Sequence, residues 1–342
     1  MTASLPHPVR YVPFQEVGDQ PNIVVDGAPL RSTVLTLSHW PNNQTPEALK
    51  RDTSTATVFA YLDTPELHQP VGIVTNNHFD EDGLFSMFAL SQPTIALRYR
   101  ELLIGGAMAG DFGVFTDRNA VRLCFIIEAF TDKRLSPLPK EVFSGCERQR
   151  AAAFFRQMLE RLPEILEDVN EYRGYWREQD SNLRQSESLI AKGDVRIEEF
   201  PESDLAIVHI PGDLPVMNVR RYLQAERASV HPFAIHNATN CNRIVRIQNG
   251  SYEFQYRYES WLQVVSRRPL FRVDLNGLAR RLNSLETAAG TWRADKVTEI
   301  VPRLFLEGTD RSSITEKTFV EEVQEYLAEQ PVAWDPYNWE SS

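Results

Sequence analysis

Residues 77–86 read Asn-His-Phe-Asp-Glu-Asp-Gly-Leu-Phe-Ser and place one imidazole and two carboxylates at alternate positions, His78, Asp80 and Asp82. In extended backbone, side chains two residues apart point the same way. These three can therefore converge on one or two hard divalent cations, Mn²⁺ or Mg²⁺, with the imidazole favouring Mn²⁺. They follow an apolar run, Val71-Gly72-Ile73-Val74, and precede a glycine and a helix-like segment. The expected context is a strand that turns into a helix, with Gly83 easing the turn and the helix dipole favouring the two acids. The competing account makes Asp80 and Asp82 helix-capping residues and His78 a polar residue at a strand end.

Other donors can be placed around this motif. His39 ends a β-branched run, Ser32 to Leu37. In a parallel sheet the carboxyl ends of the strands share one edge, so His39 is expected beside His78. Asp52 is expected on the inner face of a helix running from Thr45-Pro46-Glu47 to Leu62, where it would need a cation or a donor. Its alternative is an exposed acid offset against Lys50 and Arg51. Asp111, in the expected turn Ala109-Gly110-Asp111-Phe112-Gly113, is a further carboxylate or a plain turn residue. Arg257, Arg267, Arg268 and Arg272 concentrate guanidinium groups on and after a hairpin, and their planar forks suit phosphate or carboxylate. Arg267 and Arg268 are the expected substrate-side pair; pairing of these arginines with Glu253, Glu259 and Asp274 is the alternative. His231 and His236 form a weaker candidate metal pair.

Composition narrows the classes. The chain has 342 residues, 42% hydrophobic and 24% charged, enough for about two globular domains. A formal net charge of −11 disfavours a long duplex nucleic acid as partner but leaves room for a small anion. No apolar run approaches the roughly 18 residues of a membrane span. The N-terminal Met-Thr-Ala-Ser-Leu-Pro-His-Pro lacks the features of a secretory signal. Three cysteines, Cys124, Cys146 and Cys241, are odd in number and far apart, which argues for a reducing, cytoplasmic setting. Serine-hydrolase elbows and P-loops are absent. A haloacid-dehalogenase-type site is disfavoured because Thr75 to Phe79 separate Asp80 from the apolar run.

Strands are expected at 22–25, 32–37 and 71–75. Helices are expected from Thr45 to Leu62, to about Leu90, over 94–104 ending near Gly105-Gly106, and after Asp117 to Phe130. That alternation predicts a parallel-sheet α/β domain with crossover helices over 1–146. A charged helical connector over 147–192, broken at Pro163, leads to a smaller α+β domain over 193–342. There Asn249-Gly250 turns a hairpin and Asp274 caps a helix to Leu285.

The pattern His78-x-Asp80-x-Asp82-Gly83-x-x-Ser86 resembles the first motif of the DHH phosphoesterase superfamily, which includes exonucleases, oligoribonucleases and manganese pyrophosphatases. The resemblance implies that His78, Asp80 and Asp82 bind Mn²⁺, with Asp111 supplying the carboxylate of a second motif. It also implies a second domain carrying substrate-binding arginines. The chain has no Asp-His-His triplet and no Gly-Gly-Gly-His segment; His39 and Asp52 are the candidate replacements. The whole chain is also similar to an uncharacterised bacterial family of unknown function, through its Leu-Ser-His-Trp, His-Phe-Asp-x-Asp-Gly and Arg-Tyr-Glu-Ser-Trp segments. The expectation is a metal-dependent phosphoester or phosphoanhydride hydrolase working in an interdomain cleft on a small phosphorylated substrate or short oligonucleotide. The alternative is a non-catalytic relative that binds a ligand or partner.

Overall fold

The structure is a computed structural model that describes residues 9–222 and 224–338. It divides into two units: Met1–Ser181 with Asn218–Glu226 and Val264–Ser266, and Asn182–Met217 with Arg227–Gln263 and Arg267–Ser342. Among the described residues no helix is long and apolar enough to cross a membrane.

The first unit is built on a parallel sheet. Its strands are β1 (Arg10–Tyr11), β2 (Asn22–Val25), β3 (Thr33–Leu37) and β4 (Ile73–Thr75), in the order β1-β4-β2-β3. Every neighbouring pair is parallel. Side chains of β2 and β4 are buried throughout, as expected where both faces of a parallel sheet are covered. The connection from β2 to β3 is too short for a crossover helix, which normally takes a dozen residues or more. It instead loops back directly, with Asp26 in the left-handed region at φ 48°. A β-carbon at Gly27 would lie 2.1 Å from Asn77 Oδ1, so glycine is what lets the ends of β2 and β4 approach.

The helices of this unit are α1 (Ser54–Leu62), α2 (Glu81–Ser91), α3 (Pro93–Ala96), α4 (Arg100–Phe112), α5 (Arg118–Thr131), α6 (Glu147–Glu167) and the front of α7 (Arg173–Lys192). Residues 81–90 of α2 are all buried, and the helix packs against α1, α4 and α6. Three sequence expectations need correction. The segment from Thr45 is not one helix: a single 3-10 turn at Glu47–Leu49 is followed by α1, capped by the Thr53 side chain, which accepts from the Ala56 amide. The Gly105-Gly106 pair does not end a helix, because α4 runs through it to Phe112 and ends at left-handed Gly113. Those glycines give clearance instead, since β-carbons would lie 2.8 Å from Ala120 and 2.7 Å from Phe85. Nor does Pro163 break α6. The Leu159 carbonyl that proline leaves without its usual amide accepts the Gln92 side chain at 3.0 Å.

In the second unit β5 (Arg196–Phe200), β6 (Leu205–Ile210), β9 (Arg243–Gln248), β10 (Ser251–Tyr256), β11 (Thr291–Ala294) and β12 (Arg303–Glu307) form a mixed sheet, ordered β11-β12-β10-β9-β6-β5. The expected Asn249-Gly250 turn joins β9 to β10. A separate two-stranded ribbon, β7 (Met217–Arg221) and β8 (Gln224–Ala228), falls mostly in the first unit, which takes Asn218–Glu226. Helices α8 (Pro232–Ala238), α9 (Asn276–Leu285) and α10 (Glu316–Glu329) complete the elements. The core gathers Phe254, Tyr256, Leu278, Trp292, Phe319 and Val323. Asp274 accepts from the Asn276 amide at 3.0 Å at the start of α9. The chain is therefore α/β, with a parallel sheet in one unit and a mixed sheet in the other.

Candidate metal centre

Parallel pairing puts the carboxyl ends of β2, β3 and β4 on one edge. Asp26 directly follows β2, His39 lies just past β3, and His78 lies just past β4. Asp80 is the N-cap of α2 and Asp82 sits in its first turn. Asp111 enters from the last turn of α4 rather than from a loop. Thus three strand ends and two helices deliver six donors to one place.

Asp26 lies between the two histidines and turns one oxygen to each. Its Oδ1 is 3.3 Å from His39 Nε2 and its Oδ2 is 3.3 Å from His78 Nε2. His39 Nε2 is also 3.7 Å from Asp82 Oδ2 and 3.6 Å from Asp111 Oδ2. His78 Nε2 is 2.7 Å from Asp80 Oδ2. Two donor groups result, Asp26–His39–Asp82 and Asp26–His78–Asp80, each with its ligand atoms within 4.8 Å of one another. Asp26 belongs to both. The His39 group is almost wholly buried, whereas the His78 and Asp80 side chains are 24% and 23% exposed. Solvent therefore reaches the centre from the His78 side.

A surrounding layer fixes these groups. His39 Nδ1 is 2.6 Å from the Asp52 carbonyl; a carbonyl only accepts, so Nδ1 carries the proton and Nε2 is left to face the acids. Asp82 accepts from the Ser54 and Thr55 amides at 2.6 and 2.7 Å, where the α1 dipole favours a negative charge. Ser54 Oγ donates to Asp26 Oδ1 at 2.8 Å, and Gly83 N donates to Asp80 Oδ1 at 2.8 Å. Trp40 packs on the His78 ring at 4.9 Å. Gly83 serves clearance rather than a turn, since it lies inside α2. A β-carbon there would sit 2.5 Å from Asn76 Nδ2, 3.0 Å from Asp80 Oδ1 and 3.3 Å from Asp26 Oδ2. Asp80 and Asp82 do cap helices, as the competing sequence account held, and they still converge, because each carboxylate oxygen accepts more than one partner.

Crowding leaves its mark on the acid–base properties. Burial, reinforced by the other acids, pushes Asp111 well above the usual carboxylate range. Burial and the Asp26 charge raise Asp82 to about 6, against the pull of His39. Burial also raises Asp80, with His78 opposing. Asp26 alone falls below the ordinary range, because His39 and His78 outweigh its burial. Burial lowers both histidines, but their acid partners win. Asp26 and Asp82 bring His39 to about 9, and Asp80 and Asp26 take His78 well above 6.5. Asp26 Oδ2 and Asp111 Oδ2 are buried and make no hydrogen bond among the described residues, and neither does the buried donor Asn76 Nδ2. Leaving such groups unsatisfied costs about 1–3 kcal/mol each. A pair of hard divalent cations fits this donor set of carboxylates and imidazoles.

The remaining sequence candidates are held by other partners. Asp52 is in the loop before α1, not on a helix face. Its carboxylate accepts the Val265 and Ser266 amides at 2.7 and 2.8 Å, so only its carbonyl reaches the centre. Arg267 donates to the Asn240 carbonyl, and the Arg268 guanidinium lies over the Tyr337 ring at 4.4 Å, both within the second unit. His231 caps α8, and neither it nor His236 joins a donor group among the described residues. The residue that sequence reasoning missed is Asp26. Its signal was present: Ile23-Val24-Val25-Asp26-Gly27 is an apolar run ending in an acid and a glycine.

No curated protein and no solved structure matches the chain significantly. A family model does match, across residues 7–338, and the chain belongs to that family, a family of unknown function designated DUF6687.

Proposed function

We propose that the protein is a divalent-metal-dependent hydrolase of phosphoesters or phosphoanhydrides that holds a pair of Mn²⁺ or Mg²⁺ ions about Asp26. The observation that carries this reading is the placement of the two Asp26 oxygens, one facing each histidine-containing donor group. A carboxylate shared in this way is how paired cations are held at the short separation that two-metal hydrolysis requires. When bound, such a pair supplies an activated water nucleophile and neutralises charge on phosphorus.

The chain's own residues divide the work. Asp26 spans both positions. His39, oriented by the Asp52 carbonyl, and Asp82, tied to the α1 amides, form the rigid inner position together with Asp111. His78 and Asp80 form the outer position, whose partial exposure makes it the side that a substrate meets first. The spacing of His78, Asp80, Asp82 and Gly83 supports kinship with the DHH phosphoesterases. Asp26, His39 and Asp111 would provide the donors that the absent Asp-His-His triplet cannot. The charge of −11 supports a small phosphorylated molecule or short oligonucleotide over a duplex. Free thiols at Cys124, Cys146 and Cys241 support a reducing cytoplasmic setting.

The test is hydrolysis of pyrophosphate and of a chromogenic phosphodiester by the purified chain with Mn²⁺. Asp26→Asn should remove more activity than the roughly 10–100-fold that outer-shell losses cause. Metal retained by the wild type with no turnover of either substrate class favours the non-catalytic ligand-binding reading, which the missing triplet also supports. A wild type that retains no metal and shows the same turnover as Asp26→Asn rejects the proposal.

A further inference from the structure

Beside the centre lies a second group of ionisable side chains that takes no part in it. Glu81 stands between Asp80 and Asp82 in the first turn of α2, yet it faces α4 and α5. Gly110 of α4 leaves room for it, since a β-carbon there would lie 2.8 Å from Glu81 Cβ and 3.0 Å from its Oε2. Cys124 and Glu128 are four residues apart on α5 and therefore share a face. Glu81 Oε1 is 3.8 Å from Cys124 Sγ. One oxygen of each glutamate and the sulfur lie within 4.8 Å of one another. All three residues are buried, at 2%, 0% and 2% exposure in chain order.

A cluster of two acids and a thiol can be inert. The second observation concerns Glu128, whose Oε2 is buried and accepts no hydrogen bond among the described residues. Arg220 and Arg221 both bear on Glu128, but Arg220 donates to the Asp132 carboxylate at 2.5 Å and the Glu128 main-chain carbonyl at 3.4 Å, Arg221 donates to Tyr222 Oη, and Glu128 Oε2 accepts from neither. The spacing also matches a coordination shell. Sulfur and oxygen bound tetrahedrally to one zinc, at about 2.3 and 2.1 Å, lie about 3.6 Å apart.

We infer that Glu81, Cys124 and Glu128 form a third cation site that takes a thiophilic divalent ion of the zinc class. Thiolate is the donor that discriminates here: it selects zinc-class ions over the Mn²⁺ and Mg²⁺ suited to the oxygen-rich centre. On binding, the thiol gives its proton to solvent as the sulfur–metal bond forms. The ion would tie the first turn of α2 to α5, and so fix Asp80 and Asp82 from behind. The site does not depend on the hydrolase reading, since its donors are separate.

Metal-stripped full-length protein titrated with Co²⁺ provides the test. The wild type should develop a near-ultraviolet thiolate-to-cobalt charge-transfer band. Cys124→Ser should lose that band and one cobalt per chain, while its Mn²⁺ content stays at the wild-type value. Glu128→Gln, which keeps the thiol, should weaken cobalt binding at the band. Asp26→Asn should keep the band while losing the other ions, so failure here is distinct from failure of the Asp26 centre. Circular dichroism checks that each variant is folded. No band in folded, cobalt-loaded wild type overturns the inference, as does a band unchanged in folded Cys124→Ser.

Discussion

Both units bury charge, and they treat it in opposite ways. In the second unit Arg272 is fully buried, and its guanidinium donates to Ser260 Oγ and to the carbonyls of Val297, Glu299 and Ile300 at 2.6–3.0 Å. That is a staple: a charge whose donors are spent on closing loops. In the first unit Asp26, Asp82 and Asp111 are equally buried, but they crowd one another and leave oxygens at Asp26 and Asp111 without a hydrogen bond among the described residues. A satisfied buried charge argues for architecture. A buried acid-rich cluster whose carboxylate oxygens lack hydrogen-bond donors argues for a cationic ligand.

The sharpest way to break this contrast is to exchange the readouts. Arg272→Ala should cost about 3 kcal/mol or more, because several buried acceptors lose their donor, while Mn²⁺ content stays unchanged. Asp26→Asn should empty the centre yet leave the fold intact, read by metal content and thermal melting. If Arg272→Ala empties the centre at unchanged stability, the division between the two regions is wrong.

A second prediction uses pH. Asp82 rises to about 6 in the folded protein, above its unfolded value of about 3.9. Its contribution to stability is thus full below the unfolded value and is lost as pH climbs through about 6. A divalent cation removes that loss by taking the proton's place. The melting-temperature gain on adding Mn²⁺ should therefore be larger at pH 8 than at pH 5, and the difference should shrink in Asp82→Asn, where the other raised groups of the centre still titrate.

Gly83→Ala tests the clearance argument at a smaller scale. Helix propensity alone would favour alanine by about 1 kcal/mol. The new methyl group would intrude on Asp80 and Asp26, so metal affinity should fall while the metal-free protein melts no more than a few degrees away from wild type. The smallest effect is expected at Asp52. Its side chain only braces the Val265–Ser266 amides, while its carbonyl persists in any variant. Asp52→Ala should weaken Mn²⁺ by at most about tenfold, measured by titration calorimetry.

The same contrast explains what was legible in the sequence. His78 and Asp80 could be read because both follow one strand in extended backbone, where period-two geometry needs no tertiary information; Asp82 instead lies in the first turn of α2 and meets His39. His39 could be placed because parallel strands align their carboxyl ends. Asp26 escaped because Asp-Gly after a strand reads equally well as a turn signal. Its role appears only when β2 pairs with β4. Glycine is ambiguous at Gly105-Gly106 and at Gly83, because the residue marks both chain breaks and close approaches. Pro163 misled for a tertiary reason, the Gln92 side chain that satisfies Leu159. Thr45-Pro46 resembles a helix start and so suggests a helix face for Asp52, whereas the operative cap is Thr53.

Anomalous scattering from a crystal of the Mn²⁺-loaded chain, recorded at the manganese edge, measures the claim most directly. The account predicts two peaks, one on each side of the Asp26 carboxylate, the inner also touching His39 and Asp82 and the outer His78 and Asp80. Manganese peaks confined to other parts of the molecule, with the six side chains in place and metal-free, would contradict it.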